Sequence, residues 1–137
     1  MAKARVKVTI DNAAVIRVVG PQVDKAAYRA GQVTRTRAVA NINALGRVAT
    51  GQMKNTIRVR REETGSSLVR AYTVASTAPY TQFQEAGTRP HGPRRRKFLA
   101  FQVRGRGPWV FAKWVRGVTP GRFMYRALKA LRVRDYT

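Results

Sequence analysis

The spacing of apolar positions changes several times along this chain, and each change marks an element. Residues 5–10, RVKVTI, alternate basic with apolar or small, so Val6, Val8 and Ile10 share one face, as in a strand. Asp11 and Asn12 break that pattern and are suited to cap the next element. Residues 13–20, AAVIRVVG, fit a short helix or a strand equally well. Gly20-Pro21 then stops them, with Pro21 suited to the first turn of a new helix. From Pro21 to about Leu45 the period is helical: Val23, Ala27, Ala30, Thr34, Ala38, Asn41 and Leu45 recur at steps of three and four. Lys25, Arg29, Arg35 and Arg37 lie largely off that row, which is small rather than bulky, so its packing partner must approach closely. Gly46 is placed to end the helix.

The elements beyond Gly46 are shorter. Gly51 sits in a turn, and Gln52 to Asn55 predict one helical turn. Residues 56–61 alternate with Ile57 and Val59 inward, and after the polar turn EETGSS (62–67) residues 68–76 are rich in strand formers, predicting a hairpin. Thr77 reads as an N-cap and Pro79 as an early residue of a short helix, in which Tyr80, Phe83 and Gln84 share a face. Gly87 suits the left-handed position after its last turn. Residues 89–97, RPHGPRRRK, predict a loop, and 98–104 with 108–116 a second hairpin turning at Gly105-Arg106-Gly107. In that hairpin Phe98, Ala100 and Gln102 share a face opposite Leu99, Phe101 and Val103, and Trp109, Phe111, Lys113 and Val115 alternate with Val110, Ala112 and Trp114. Aromatics on both faces imply that both are partly buried or that one meets a partner. After the turn Thr119-Pro120-Gly121, residues 123–131 form an amphipathic helix, with Phe123, Ala127 and Leu131 opposite Arg122, Arg126 and Lys129. The expected fold is α+β: a long N-terminal helix and a C-terminal helix packed on an antiparallel sheet of about four strands, with one short helix between strands. Residues 1–20 read as a strand-like N-terminal extension and 21–137 as a single domain.

Charge changes the picture most. Twenty-eight bases against six acids give a net charge of +22, and 21 of the bases are Arg. Self-repulsion on this scale disfavours an isolated compact chain and calls for a polyanion or an acidic partner. Arginine favours planar, multidentate contacts to phosphate or carboxylate. Side-chain inventory argues against an enzyme. With no cysteine there is no disulfide or thiolate chemistry, and His91, the only histidine, cannot build a normal zinc site from scattered acids. Glu62-Glu63 is the only acidic pair and falls on a turn, and Ser66, Ser67 and Ser76 have no histidine neighbour in sequence. RGRGP (104–108) reads as a hairpin turn rather than a phosphate loop. No catalytic residue, cofactor or metal is therefore expected. No run of about 18 apolar residues predicts a membrane span, and the opening MAKARVKVTID lacks the apolar centre of a secretory signal.

Two features carry candidate chemistry. Arg94, Arg95, Arg96 and Lys97 are consistent with a solvated loop, with phosphate contacts, or with docking on an acidic protein surface. The neighbouring Phe98, Phe101, Trp109 and Trp114 are capable of stacking on bases, although their strand alternation points more to core or interface packing. Between Thr64 and Arg134 the chain holds fifteen Lys or Arg residues and a single acid, Glu85. Glu85 falls near the end of the short helix, where the helix dipole disfavours negative charge. An arginine is expected to offset it, with Arg89, Arg94 and Arg122 within reach. Glu85 then either anchors the basic loop or a subunit contact, or faces solvent.

Four segments in order complete the reading: TGQMKNTIRV (50–59), PYTQFQEAGT (79–88), the FLAF…VFAKWV hairpin (98–115) and TPGRFMYRAL (119–128). Together they resemble the tail-completion, or head–tail joining, proteins of long-tailed siphophages, over about residues 21–131. The basic loop after Thr88 and residues 1–20 depart from that pattern. The resemblance implies a non-catalytic structural virion protein at the neck, at the head–tail junction, assembled in the host cytoplasm. Its copies would surround the tail axis in a ring of about six or twelve, touching the head-completion (stopper) and tail-terminator proteins and, in a basic lumen, packaged DNA. Partner-contact residues would be Glu85, Arg89, Arg94, Arg95, Arg96, Lys97, Trp109, Trp114 and Arg122, on a backbone shaped by Gly51, Gly87 and Gly121. The alternatives are a basic nucleic-acid-binding module and another tail component, such as a tail terminator or minor tail protein.

Overall fold

A computed structural model describes residues 12–46, 51–64, 69–102 and 107–136. In chain order these form helix α1 (Asn12–Ala44), a single turn α2 (Gln52–Asn55), strands β1 (Ile57–Glu62) and β2 (Ala71–Ser76), and helix α3 (Thr81–Ala86). Strands β3 (Leu99–Gln102) and β4 (Trp109–Ala112), helix α4 (Phe123–Lys129) and a closing 3-10 turn (Val133–Asp135) complete the order. The fold is α+β. The four strands among the described residues divide into two antiparallel ribbons, β1–β2 and β3–β4. Helix α1 lies across β1–β2, and α4 packs chiefly on α1.

One boundary differs from the sequence reading. Residues 12–20 are helical rather than strand-like and continuous with the rest of α1, so Pro21 lies inside the helix. Proline removes one intrahelical hydrogen bond and crowds the carbonyl four residues earlier. At Pro21 the side chain is exposed, so water can serve the freed carbonyl. The strand expected over residues 5–10 lies outside the described residues, as do Gly105 and Arg106 of the turn expected at Gly105-Arg106-Gly107.

The small row on α1 does what its size implies, shifted toward the C-terminal half. Ala30, Gly31, Thr34, Ala38 and Ile42 are buried, whereas Val23 is exposed. At Gly31 the approach is closest: a Cβ there would stand 2.7 Å from Val59 Cγ1 of β1. Thr34, the buried polar residue of the row, donates its hydroxyl to Ala30 O at 2.9 Å, so no buried donor is left unpaired there. The ribbon pairs Ile57 with Ser76 through Glu62 with Ala71, which turns Ile57 and Val59 toward α1. The main core joins Ala38 and Ile42 of α1, Met53 of α2, Ile57 of β1, Ala78, and Phe123 and Ala127 of α4. Phe123, Ile42 and Ile57 are the largest fully buried side chains, each contributing about 1.5–3 kcal/mol of hydrophobic stabilisation.

Polar contacts close the edges. Gly46 ends α1 in the left-handed region, with φ 63°, as expected of a helix-terminating glycine. The start of α3 differs from expectation. The N-cap residue is Tyr80, with no side-chain cap, and Thr77 is exposed; Ser76 Oγ accepts Ala78 N–H at 3.3 Å and the Thr81 hydroxyl at 2.8 Å just before the helix. Phe83 faces solvent rather than the core. At the C-terminal end Arg37 holds Asp135 at 2.7 and 3.2 Å and also donates to Ala130 O at 2.9 Å. The Arg37 hydrogen bonds, and then the Arg132 N–H, hold the Asp135 carboxyl below the ordinary carboxylate range.

Two outcomes are expected. Gly31→Ala gains up to about 1 kcal/mol of helix propensity, yet overpacking against Val59 should cost about 1–3 kcal/mol. The net loss should shrink when Val59→Ala is added, which a double-mutant cycle of denaturant midpoints measures. Asp135 has a lowered pKa when folded, so its stabilisation is complete above the ordinary carboxylate range and is lost as acid titrates it through that lowered value. Thermal melts from neutral to acid pH should show part of the acid loss missing in Asp135→Asn.

Candidate partner-contact surface

The residues singled out from the sequence fall into two separate groups in the structure. The first surrounds Glu85. After α3 the chain turns at Gly87, where φ 77° and ψ 175° define a region essentially restricted to glycine. A Cβ there would lie 2.6 Å from Val118 O and 2.8 Å from Pro120. Gly117 is equally confined, because a Cβ would overlap the Thr88 carbonyl. These two glycines let residues 84–88 and 117–122 run side by side. Thr88 N–H donates to Val118 O and Val118 N–H to Thr88 Oγ1, both at 2.8 Å. Gly121 N–H donates to Gln84 O at 2.8 Å and Arg122 N–H to Glu85 O at 3.2 Å.

The Glu85 carboxylate completes this clasp. Its Oε2 accepts Met124 N–H at 3.1 Å and its Oε1 accepts Tyr125 N–H at 2.9 Å. These are the second and third residues of α4, whose N–H groups have no partner within the helix. A side chain at the N-cap normally serves them, but the N-cap here is Arg122, whose side chain offers no acceptor and whose backbone sits at φ 49°. Glu85 supplies the cap from another part of the chain. The position that is electrostatically poor at the end of α3 is thus favourable at the start of α4. The expected arginine partner is corrected accordingly. Among the described residues neither Arg89, Arg94 nor Arg122 forms an ion pair with Glu85, and backbone N–H groups take that place. Gly121 is buried in the same clasp, and Gly51, at φ 76°, sets the turn into α2.

The second group is the β3–β4 ribbon and the basic loop before it. Leu99 pairs with Ala112, Ala100 with Phe111, Phe101 with Val110 and Gln102 with Trp109. Directly opposed residues share a face, so Ala100, Phe111, Gln102 and Trp109 lie together, with Phe98 and Lys113 continuing the row. Trp109 is 60% and Phe111 67% exposed, with Phe98 at 45%. On the other face Leu99 and Ala112 are half-buried. The loop is tied down by His91 and Val115, which exchange backbone hydrogen bonds of 3.1 and 2.9 Å. It also passes close to β4's exit, where a Cβ on Gly92 would lie 2.9 Å from Lys113 O. Arg94, Arg95, Arg96 and Lys97 thereby line an open hollow of about 470 Å³ together with Phe98 and Phe111. Lys113 Nζ stands 5.9 Å from the centre of the Phe98 ring, a cation–π distance.

The structure therefore gathers Arg94 to Lys97 with Phe98 and Phe111, while Trp109 lies farther along the same ribbon face, opposite Gln102. Trp114, 64% exposed, stands beside Gly92, and Arg89 and Arg122 are exposed. Phe111 and Lys113 belong to the same face although neither was singled out as a contact. Their signal was the alternation that placed both with Trp109. Among the described residues no group of three His, Cys, Asp or Glu could hold a metal ion, and no helix is long and apolar enough to cross a membrane. Comparisons with protein-family models, curated proteins and solved structures gave no match.

Glu85→Gln keeps one carbonyl acceptor and loses the charge, and should lower stability by about 1–2 kcal/mol, read as a lower melting temperature. Arg122→Gly relieves a left-handed residue and should change stability by about zero to +1 kcal/mol. A large loss in the second variant would mean that the Arg122 side chain, and not its backbone, holds the clasp.

Proposed function

We propose that this chain is a structural virion protein of a tailed phage that joins or completes the tail at the neck, as a ring-forming adaptor without catalysis. The observation that carries the reading is the interlocking of the segments on which the resemblance rests. Met53 and Ile57 of the first segment meet Phe123 and Ala127 of the last in one core. Glu85 of the second segment caps the start of α4 with its carboxylate, and Thr88 pairs with Val118 just before the last segment. Segments that look like one family's motifs in sequence thus cooperate in a single body, as motifs of one fold should.

The remaining segment, the β3–β4 hairpin, lies outside that core with its aromatics exposed. Exposed Trp and Phe beside arginines have the composition of binding hot spots. In this reading copies surround the tail axis through heterologous contacts, in which one face of each subunit meets a different face of the next. The stopper and tail-terminator proteins are the neighbours above and below. Each chain carries +22, so like copies repel until acidic neighbours or salt screen them.

Electron cryomicroscopy of purified particles, with this chain located by labelling, tests the proposal. Density for a ring of copies at the head–tail junction is the expected result. Finished particles that lack the chain would refute it.

A further inference from the structure

The exposed face of the β3–β4 ribbon sets aromatic rings and free cations side by side. Phe98, Phe111 and Trp109 lie along one face, all 45% exposed or more. Arg94, Arg95, Arg96 and Lys97 are all exposed and share the hollow lined by Phe98 and Phe111. From residue 86 to residue 134 the sequence contains no acid, so nothing in this segment repels an anion or neutralises these cations.

A second copy is a poor occupant. Five acids fall among the described residues, and four are engaged within the chain. Asp24 stands by Arg61 and Arg70, Glu62 accepts from Thr73, Glu85 caps α4, and Asp135 pairs with Arg37. An acidic protein could cover the surface only by bringing carboxylates for the cations and separate apolar groups for the rings. A nucleotide carries both chemistries in one unit, an anionic phosphate and a flat π face. Alternate residues on a strand are about 7 Å apart, so Trp109 and Phe111 offer successive platforms. The faces of bases are open only in a single strand, because in a duplex they are stacked on one another and the protein reaches phosphates and groove edges.

We propose that this ribbon face binds single-stranded nucleic acid without sequence preference, bases stacking on Phe98, Trp109 and Phe111 while phosphates lie along Arg94 to Lys97. The inference stands on the hairpin alone and does not require the neck assignment, so either one survives the failure of the other.

The test uses the full chain and a labelled thymidine oligonucleotide of about 16 nucleotides, the upper end of common single-strand site sizes. Its affinity is compared with that for an abasic oligonucleotide of equal length and charge, a duplex, and polyglutamate. Anisotropy gives affinity and tryptophan quenching reports stacking. The thymidine strand should bind roughly tenfold or more tighter than the abasic strand, and Trp109→Ala and Phe111→Ala should each remove roughly fivefold or more of that binding. Both side chains are exposed, so circular dichroism should be unchanged in the variants. Replacing Arg94, Arg95 and Arg96 with Ala should weaken both strands alike and flatten the salt dependence. Equal affinity for thymidine and abasic strands, indifference to the aromatic variants, preference for duplex or polyglutamate, or no binding at all would each overturn the proposal.

Discussion

The body of this protein depends on one carboxylate placed between two helices. Glu85 ends α3 and caps α4, accepting the N–H groups of Met124 and Tyr125. Those groups would otherwise face a helix start whose own N-cap residue, Arg122, has no side-chain acceptor. With the cap in place Phe123 and Ala127 reach the core made by Ala38, Ile42, Met53 and Ile57. The glycines are subordinate to the same requirement. Gly87 and Gly117 are glycines because the stretch of backbone carrying Glu85 must touch the stretch leading into α4, with no room for a Cβ. An ordinary salt bridge would not replace this arrangement, since a carboxylate bound to two backbone N–H groups fixes the direction of a helix as well as its position.

This use of acids organises the charge of the whole chain. Most of the described acids act inside the body: Asp135 holds the closing turn to Arg37, Asp24 stands between Arg61 and Arg70, and Glu85 caps α4. Arg94, Arg95 and Arg96, in the loop before β3, are exposed. The β3–β4 ribbon shows the same division. A two-stranded hairpin is marginal alone, and this one keeps its aromatics outside the core. Body and hairpin thus differ: the first closes around a core of buried apolar side chains, and the second leaves Trp109, Phe111 and Phe98 exposed.

Much of this was legible in the sequence where local pattern and final packing agree. The small row from Ala30 to Ala38 announced a close neighbour, and Gly31 against Val59 is that neighbour. Alternation placed Ile57 and Val59 inward, and it put Trp109 and Phe111 on one face. The misreadings have a common cause, which is that tertiary context overrode a local signal. Pro21 has the local signature of a helix start, yet the preceding apolar turns continue through it. Thr77 has that of a cap, but α3 starts later, with Tyr80 at its N-cap and no side-chain cap. Glu85 stands out in the sequence as an acid that needs a partner. The partner itself is not legible there, because backbone N–H groups carry no sequence signature and because Met124 and Tyr125 lie far from it along the chain.

Amide hydrogen exchange on the isolated full-length chain tests the central claim most directly. The account predicts that the amides of Met124 and Tyr125 are protected together with those of Thr88, Val118 and Gly121, and that they open as one unit with the core. The amides of β3 and β4 should exchange much faster. Rapid exchange at Met124 and Tyr125 while the core stays protected would contradict it, because the carboxylate would then not be holding the helix that the rest of the body is built around.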